Sequence, residues 1–469
     1  MNDSSQAIHA DVLVVGFGKG GKAAAAQLAK RGKRVVLVEE SPRMYGGTCP
    51  NVGCVPSKGM VHHSRERRPG QDDPQTFYEE SVRKVQAVRE FMRTGNYDGL
   101  TGIDTASVIT GRAVFTDPHT VAVTTADGEQ LTVSAETILI NTGSRQVIPD
   151  LPGLRTSKYL VTSTELMEGT QLPKRLVVVG GGYLGLEFAA IYQRFGSEVT
   201  VLARNERFLP RVDEDVAAAV HEIMTGEGVT ILTGATPREV RDGERAASVV
   251  YELDGAEHTV AADAVLPATG RAPVTDGLGL EAAGVRTTQR GAVEVDEHLR
   301  TSQPHIFALG DVNGGPQFTY VSLDDSRIVL DQLVGSGKRT TTDRVAIPNT
   351  LFITPPLATV GMTEQEAREA GHRIKVAREA VADILAMPRA YAVEETRGLM
   401  KFVIDADTDL ILGAALLSVD AQELINTVTL AMRHGITASR LRDSIYTHPS
   451  STEAFNELPT VIVHEDRAR

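Results

Sequence analysis

The strongest constraint on the fold is an echo between two distant parts of the 469-residue chain. Val12–Val15 is a short apolar run followed by Gly16-Phe17-Gly18-Lys19-Gly20-Gly21, an alanine-rich helical stretch, and a second strand, Arg34–Val38, that leads into Glu39. Leu176–Val179 is followed by Gly180-Gly181-Gly182-Tyr183-Leu184-Gly185, a helix expected over Leu186–Phe195 and a strand over Glu198–Leu202. The first glycine and the end of the second strand lie 23 positions apart in both units, 16 to 39 and 180 to 203. In such a strand–GxGxxG–helix–strand unit the glycines (here Gly16, Gly18 and Gly21, then Gly180, Gly182 and Gly185) permit a tight turn and close backbone approach to a pyrophosphate, which rests on the helix N-terminus. One GxGxxG alone is weak; two in full βαβ context with matched spacing predict two dinucleotide sites.

The length suggests roughly three domains at about 100–200 residues each. Hydrophobic residues at 41% and charged residues at 23% are ordinary for a soluble globular protein. A net charge of −13 argues against nucleic acid or an anionic membrane as partner. No apolar run approaches the roughly 20 residues of a membrane span. Asp11–Val15 reads as a first strand rather than part of an export signal, so a cytoplasmic protein is expected. Strand-then-glycine signals at 137–143 and 263–273 read as exits from each nucleotide unit. The pattern beyond about residue 347 changes to mixed strands and helices. There a capping box, Thr363 to Glu366, opens a helix that stops at Gly371. The predicted fold class is α/β: two Rossmann-like dinucleotide-binding domains and a C-terminal α+β domain. Boundaries are expected at 1–150 (first nucleotide domain, first part), 151–270 (second nucleotide domain), 271–345 (return to the first) and 346–469.

Between the two motifs lies Gly46-Gly47-Thr48-Cys49-Pro50-Asn51-Val52-Gly53-Cys54-Val55-Pro56-Ser57-Lys58, which holds the only two cysteines of the chain. On an ideal helix a five-residue offset spans roughly 7.5 Å. A disulfide needs Cα atoms about 4.4–6.8 Å apart, so the pair can bond only across a loop running into a helix. Gly53 and Pro56 suit that arrangement, and a helix N-terminus favours the thiolate. A lone cysteine pair is under-ligated for structural zinc and points to redox use, and no metal site is assigned.

Two dinucleotide folds, a Cys-x4-Cys pair and a third domain together resemble the class I pyridine nucleotide–disulfide oxidoreductases, which include glutathione reductase, dihydrolipoamide dehydrogenase and mercuric reductase. The resemblance covers essentially the whole chain. It implies FAD in the first fold, held by Gly16, Gly18, Gly21, Glu39, Thr48, Lys58, Thr142, Gly143 and Asp311. The last of these closes the segment Thr301–Asp311, which resembles the family's second FAD motif. It implies NADPH in the second fold, with Gly180, Gly182, Tyr183, Gly185, Glu187, Arg204, Arg207 and Gly270. Glu39 stands where an acid binds a ribose 2′-hydroxyl. Ala203 stands at the same offset in the second fold, followed by Arg204 and Arg207, which suit a 2′-phosphate and favour NADPH over NADH. The resemblance further implies a redox pair Cys49–Cys54, a Lys58–Glu187 ion pair beside the flavin, a gating Tyr183, and an acid–base His448 before Pro449, oriented by Glu453. In relatives that histidine comes from the partner subunit, so a homodimer is expected.

The substrate is narrowed less. The chain ends at 461–469 without the cysteine pair of mercuric reductases, and dihydrolipoamide dehydrogenase runs on NAD, which Arg204 disfavours. Met44–Cys49, Gly310–Tyr320 and Ile353–Leu357 are similar to the flavoproteins of reactive-chlorine resistance. That subgroup implies reduction of hypothiocyanous acid, with copper(II) reduction also associated, although Ala203-Arg204 departs from the acid of an NADH-using relative. His62 and His63, with Cys54 and Lys58 on one expected helix, are candidate copper ligands or plain surface residues. Reduction of glutathione, mycothiol or a similar disulfide, or of mercury(II), is the enzymatic alternative. A non-catalytic redox sensor is the alternative of another class.

Overall fold

The structure is a computed structural model and describes residues 6–465. The outermost positions of the first and last expected domains, 1–5 and 466–469, lie outside it.

The first sheet grows from β1 (Gln6–Val15), whose Val12, Leu13, Val14 and Val15 are buried as a parallel strand covered on both faces requires. The chain turns into α1 (Lys19–Ala29) and returns as β2 (Val35–Glu39), parallel to β1 with Val15 opposite Val38. Then come α2 (Thr48–Val52), α3 (Cys54–Glu66) and the long α4 (Pro74–Thr101). Asp73 caps α4 by accepting from Thr76 N–H at 2.9 Å, and Pro74 occupies the first helical position, where its missing N–H costs nothing. β3 (Ala106–Asp117), β4 (Thr120–Thr125) and β5 (Gln130–Ile140) form an antiparallel meander, while β2 pairs in parallel with β3 and β1 with β5. β3 and β5 are long, 12 and 11 residues, because each serves the parallel core at one end and the meander at the other.

β6 (Ser144–Gln146) and α5 (Ser163–Glu168) lead to the second unit: β7 (Arg175–Val179), α6 (Tyr183–Phe195), β8 (Glu198–Ala203), α7 (Glu214–Gly226) and β9 (Thr230–Thr233). The sheet order is β13-β7-β8-β9, all parallel, where β13 (Ala264–Pro267) follows a meander of β10 (Thr236–Asp242), β11 (Ala247–Leu253) and β12 (Ala256–Ala262). Both βαβ repeats are thus present, each motif glycine run sitting at the C-terminal edge of a parallel sheet. α6 begins at Tyr183, three residues before its expected start, and is apolar almost all round, with Leu186, Phe188, Ile191, Tyr192 and Phe195 buried. It lies between its own sheet and the first unit, where the Tyr78 and Tyr192 hydroxyls meet at 2.8 Å beside the Leu166 carbonyl.

β14 (Arg271–Pro273) pairs with β6, and β15 (Ile306–Ala308) joins the first sheet beside β5. α8 (Thr319–Val334) then packs on α1, where a Cβ on Gly20 would fall 2.5 Å from the Ser322 carbonyl. The last unit is an antiparallel sheet ordered β16-β17-β20-β19-β18-β21. Its strands are β16 (Asn349–Leu351), β17 (Leu357–Gly361), β18 (Ile374–Ala380), β19 (Leu399–Asp405), β20 (Ile411–Leu417) and β21 (Ile462–Glu465). Its helices are α9 (Glu364–Glu369), α10 (Pro388–Ala392), α11 (Ala421–Arg433), α12 (Ala438–Arg442) and α13 (Ala454–Glu457). The Thr363–Glu366 capping box opens α9, and Gly371 follows its end with φ +88°. Lys401, only 2% exposed, ties this sheet to the second unit through Asp215 at 2.9 Å and Asp213 at 3.2 Å, and pairs with Glu364 of α9 in its own unit. No helix among the described residues is long and apolar enough to cross a membrane.

Candidate active site

Cys49 lies in α2 and Cys54 opens α3, both as thiols. The expected loop before Cys54 is instead a short helix, broken from α3 at Gly53. Buried Asn51 explains it: its amide donates to the Tyr45 and Gly47 carbonyls at 2.9 and 2.8 Å and binds the turn at its start, while Arg93 donates to its oxygen. The break brings the thiols into hydrogen-bond contact, with Thr319 at the head of α8 beside both; its hydroxyl is 3.7 Å from the Cys54 sulfur. The shared hydrogen bond splits the pair. It pulls Cys54 down to about 6 against the burial that opposes it, with help from Thr319 and from the charge of Lys58. The same bond, with burial, pushes Cys49 well up. Titration of ultraviolet thiolate absorbance in the reduced protein is expected to show one group ionising near pH 6 and the other only far into alkali. Two groups ionising together near about 8.5, as free cysteine does, would contradict this arrangement.

One helical turn after Cys54, Lys58 donates to Glu187 Oε2 at 2.8 Å and sits 4.5 Å from the centre of the Phe352 ring. Glu187, on α6 and 6% exposed, also accepts from Phe352 N–H at 2.9 Å. Tyr183, at the start of α6, is half-buried and contacts Thr359; burial raises its phenol.

The first motif fits a dinucleotide. α1 and α6 both start behind a glycine, Gly18 and Gly182. Among the described residues the first amides of α6 meet no side-chain acceptor and remain available to a pyrophosphate, whereas in α1 the Gly20 and Gly21 amides are held by Ser322 Oγ and Asn141 Oδ1, which leaves only the amides before them to the ligand. A Cβ on Gly47 would fall 2.7 Å from the Gly18 Cα, so the cysteine-bearing turn rests directly on the first motif. Gly16, Gly18 and Gly21 line Asn141, whose side chain accepts from Gly21 N–H at 2.8 Å and donates to the Leu309 carbonyl. Glu39 accepts from Phe17 N–H at 2.9 Å and Ser41 N–H at 3.2 Å, and burial raises its carboxyl. Thr48 begins α2, Thr142 donates to the Val274 carbonyl, and Gly143 has φ +71°. Asp311 accepts from Ser144 at 2.6 Å, and Arg271 holds Ser144 through both its hydroxyl and its carbonyl. In the second motif Gly180 adopts φ +121° with the Ala268 carbonyl 2.6 Å from where a Cβ would sit, which only glycine accommodates; Gly185 packs on Gly180, while Gly182 and Gly270 face open space. Ala203 is buried against Gly181. Arg204 is exposed, and exposed Arg207 donates to the Val212 carbonyl at 2.9 Å.

His448 is 72% exposed; its Nδ1 is 2.9 Å from Glu453 Oε1, and that contact with the Ser450 amide holds the Glu453 carboxyl below its usual range. The His448–Pro449 bond is cis. Among the described residues no hydrogen bond or ion pair joins His448 to the cysteines of its own chain. His62 and His63 pair with Glu66 at 3.3 and 3.0 Å rather than with Cys54; the three offer ligand atoms within 4.8 Å of one another.

Residues 10–326 match the family described as pyridine nucleotide-disulphide oxidoreductase, and residues 347–459 match the dimerisation domain of that family. The chain belongs to the pyridine nucleotide–disulfide oxidoreductases. It is an enzyme of this family, with two dinucleotide-binding domains, FAD as cofactor and NAD(P)H as reductant. The probable pyridine nucleotide-disulfide oxidoreductase RclA of Escherichia coli (strain K12) is 43% identical over 96% of this chain and 98% of its own. A mercuric reductase of Staphylococcus aureus is 36% identical over 92% of this chain and 79% of its own. The solved HOCl-induced flavoprotein disulfide reductase RclA from Escherichia coli superposes with a TM-score of 0.90 at 42% identity, covering 96% of this chain and 99% of that one. Its Cu(II) complex superposes with a TM-score of 0.91.

Within this oxidoreductase, sequence reasoning missed Asn141, Ser144, Arg271 and Thr319 as parts of the site. All stand inside or next to segments singled out by motif, yet only the folded chain brings Asn141 to Gly21 and Leu309, Ser144 and Arg271 together at Asp311, and Thr319 to the cysteines.

Proposed function

We propose that this oxidoreductase is an NADPH-driven reductase of hypothiocyanous acid or a related reactive oxidant, working through Cys49 and Cys54 in oxidative-stress defence. The observation that carries it is the split thiol pair beneath the Lys58–Glu187 contact that joins the two dinucleotide units. Likeness along 96% of the chain to the HOCl-induced flavoprotein disulfide reductase of Escherichia coli supports the oxidant class.

Gly16, Gly18, Gly21, Glu39 and Asp311 would hold FAD, which would supply two-electron transfer between NADPH and the disulfide, and Lys58, anchored by Glu187, would set a fixed cation near it. Arg204 and Arg207 would receive the 2′-phosphate, and Ala203 leaves no acid to repel it. Tyr183 would cover the nicotinamide. Cys49 is the attacking thiol: a proton passes to His448 of the partner subunit, oriented by Glu453, and the thiolate attacks the oxidant's sulfur, displacing hydroxide and forming a Cys49–S–SCN bond. The Cys54 thiolate then attacks the Cys49 sulfur, closing the disulfide and releasing thiocyanate. The balance is two thiols and HOSCN to disulfide, thiocyanate, water and a proton.

The test is steady-state NADPH and NADH oxidation with hypothiocyanous acid, glutathione disulfide, mycothiol disulfide and copper(II). Turnover on hypothiocyanous acid with NADPH preferred is the expected result. Turnover on one disulfide instead would make the enzyme a thiol-pool reductase. Turnover on copper(II) lost in His62→Ala would favour a second reading, in which His62, His63 and Glu66 receive the metal ion.

A further inference from the structure

Lys22 is not accounted for by either dinucleotide motif. It lies in the first turn of α1, half-buried, and donates to the Asn96 side-chain oxygen on α4. The Asn96 amide is fixed in turn by the Met92 carbonyl at 2.6 Å and packs over Gly46, where a Cβ would fall 2.8 Å from it. Lys22 and Asn96 therefore close over the turn that runs through Gly47 and Thr48 into Cys49. The charge of Lys22 acts on the Cys49 sulfur and favours its thiolate. Burial and the neighbouring Lys19 together push the Lys22 ammonium down to about 8. Among the described residues no carboxylate forms an ion pair with Lys22 or Lys19. A cation removed from water without a counter-charge is costly, and here the space it addresses is that of the reactive thiol.

We propose that Lys22, held by Asn96, forms an anion subsite beside Cys49 that takes a small singly charged anion, either the negative end of a substrate or the group leaving from sulfur. This rests on Cys49 being the attacking thiol. With hypothiocyanous acid the charge arises when the Cys54 thiolate attacks the Cys49 sulfur: the S–S bond to the thiocyanate group breaks and thiocyanate leaves with the electron pair, next to Lys22. The subsite also acts on the first step, by holding the Cys49 thiolate.

The experiment compares two alkylating agents of one shape, anionic iodoacetate and neutral iodoacetamide, on the reduced FAD-loaded dimer, with the rate at Cys49 read by peptide mass spectrometry. The ratio of the two rates cancels the thiolate fraction and reports local charge alone. Lys22→Met is expected to lower the iodoacetate-to-iodoacetamide ratio about fivefold, the effect of one nearby charge in largely aqueous surroundings. Lys22→Arg is expected to retain it, and Asn96→Ala, which frees Lys22 without removing its charge, to lower it by less. An unchanged ratio in Lys22→Met overturns the proposal, as does loss of bound FAD without a change in ratio, which would assign the lysine to the cofactor. Alkylation at Cys54, the thiol ionised near neutral pH, is read on its own peptide and does not enter the ratio. A ratio that falls in a protein unable to reduce hypothiocyanous acid supports the subsite and refutes the oxidant.

Discussion

Cys49→Ser is expected to leave NADPH-driven reduction of the bound flavin at the rate of the unaltered enzyme and to lower oxidant turnover at least about 10³-fold, the scale of losing a nucleophile. The two readouts separate because the thiols are not equivalent. Cys54 is the one ionised near neutral pH, through the hydrogen bond that Cys49 donates and the charge of Lys58, whereas Cys49 keeps its proton until a base removes it. Serine at 49 can still donate to Cys54, so the surroundings of the flavin ring change little, but a hydroxyl cannot attack sulfur at useful rates. Stopped-flow reduction and steady-state turnover on the same preparation decide it. Turnover retained in Cys49→Ser would reverse the roles of the two sulfurs.

The second large effect is at His448. His448→Ala is expected to reduce turnover by about 10²–10⁴-fold, the usual contribution of a positioned general acid–base, again without slowing flavin reduction. The geometry adds a sharper test. His448 is exposed and, among the described residues, has no hydrogen bond or ion pair to the cysteines of its own chain, and nearby Ile445 is 99% exposed, as a segment meant to be covered by another copy would be. Co-expression of inactive Cys49→Ser with inactive His448→Ala subunits should therefore restore activity, because each mixed dimer contains one site with both a native Cys49 and a native His448. No restoration would mean that each chain completes its own site.

The parts of the fold legible in the sequence were those governed by local chemistry. Glycine spacing after Val15 and Val179 marked the two parallel-sheet turns, and the Thr363–Glu366 pair marked α9, because turns and caps are decided within a few residues. The helix of Thr48–Val52 escaped notice because it depends on the Asn51 side chain reaching back to Tyr45 and Gly47, not on a capping residue. The meander β10–β12 escaped because its alternation is interrupted by charged residues on an exposed face. In the site, no spacing rule connects Lys58 with Glu187 across 129 positions; only the family resemblance brought them together. Lys22 and Asn96, 74 positions apart, carried no motif signal at all, since their meeting depends on how α4 crosses α1.

Glu187 has a consequence for how the sequence can change over time. One oxygen holds Lys58 of the first nucleotide unit, the other holds the Phe352 backbone at the edge of the last sheet, and the residue itself rides on the helix of the second unit. A carboxylate shared among three bodies has no neutral neighbours in sequence space. Shortening it to aspartate withdraws both contacts at once, and a compensating change at Lys58 cannot repair the bond to a main-chain amide. Drift should accordingly be confined to the surface around this junction, and chimaeras that exchange one unit between distant relatives should work only where the incoming part presents a carboxylate at the same height.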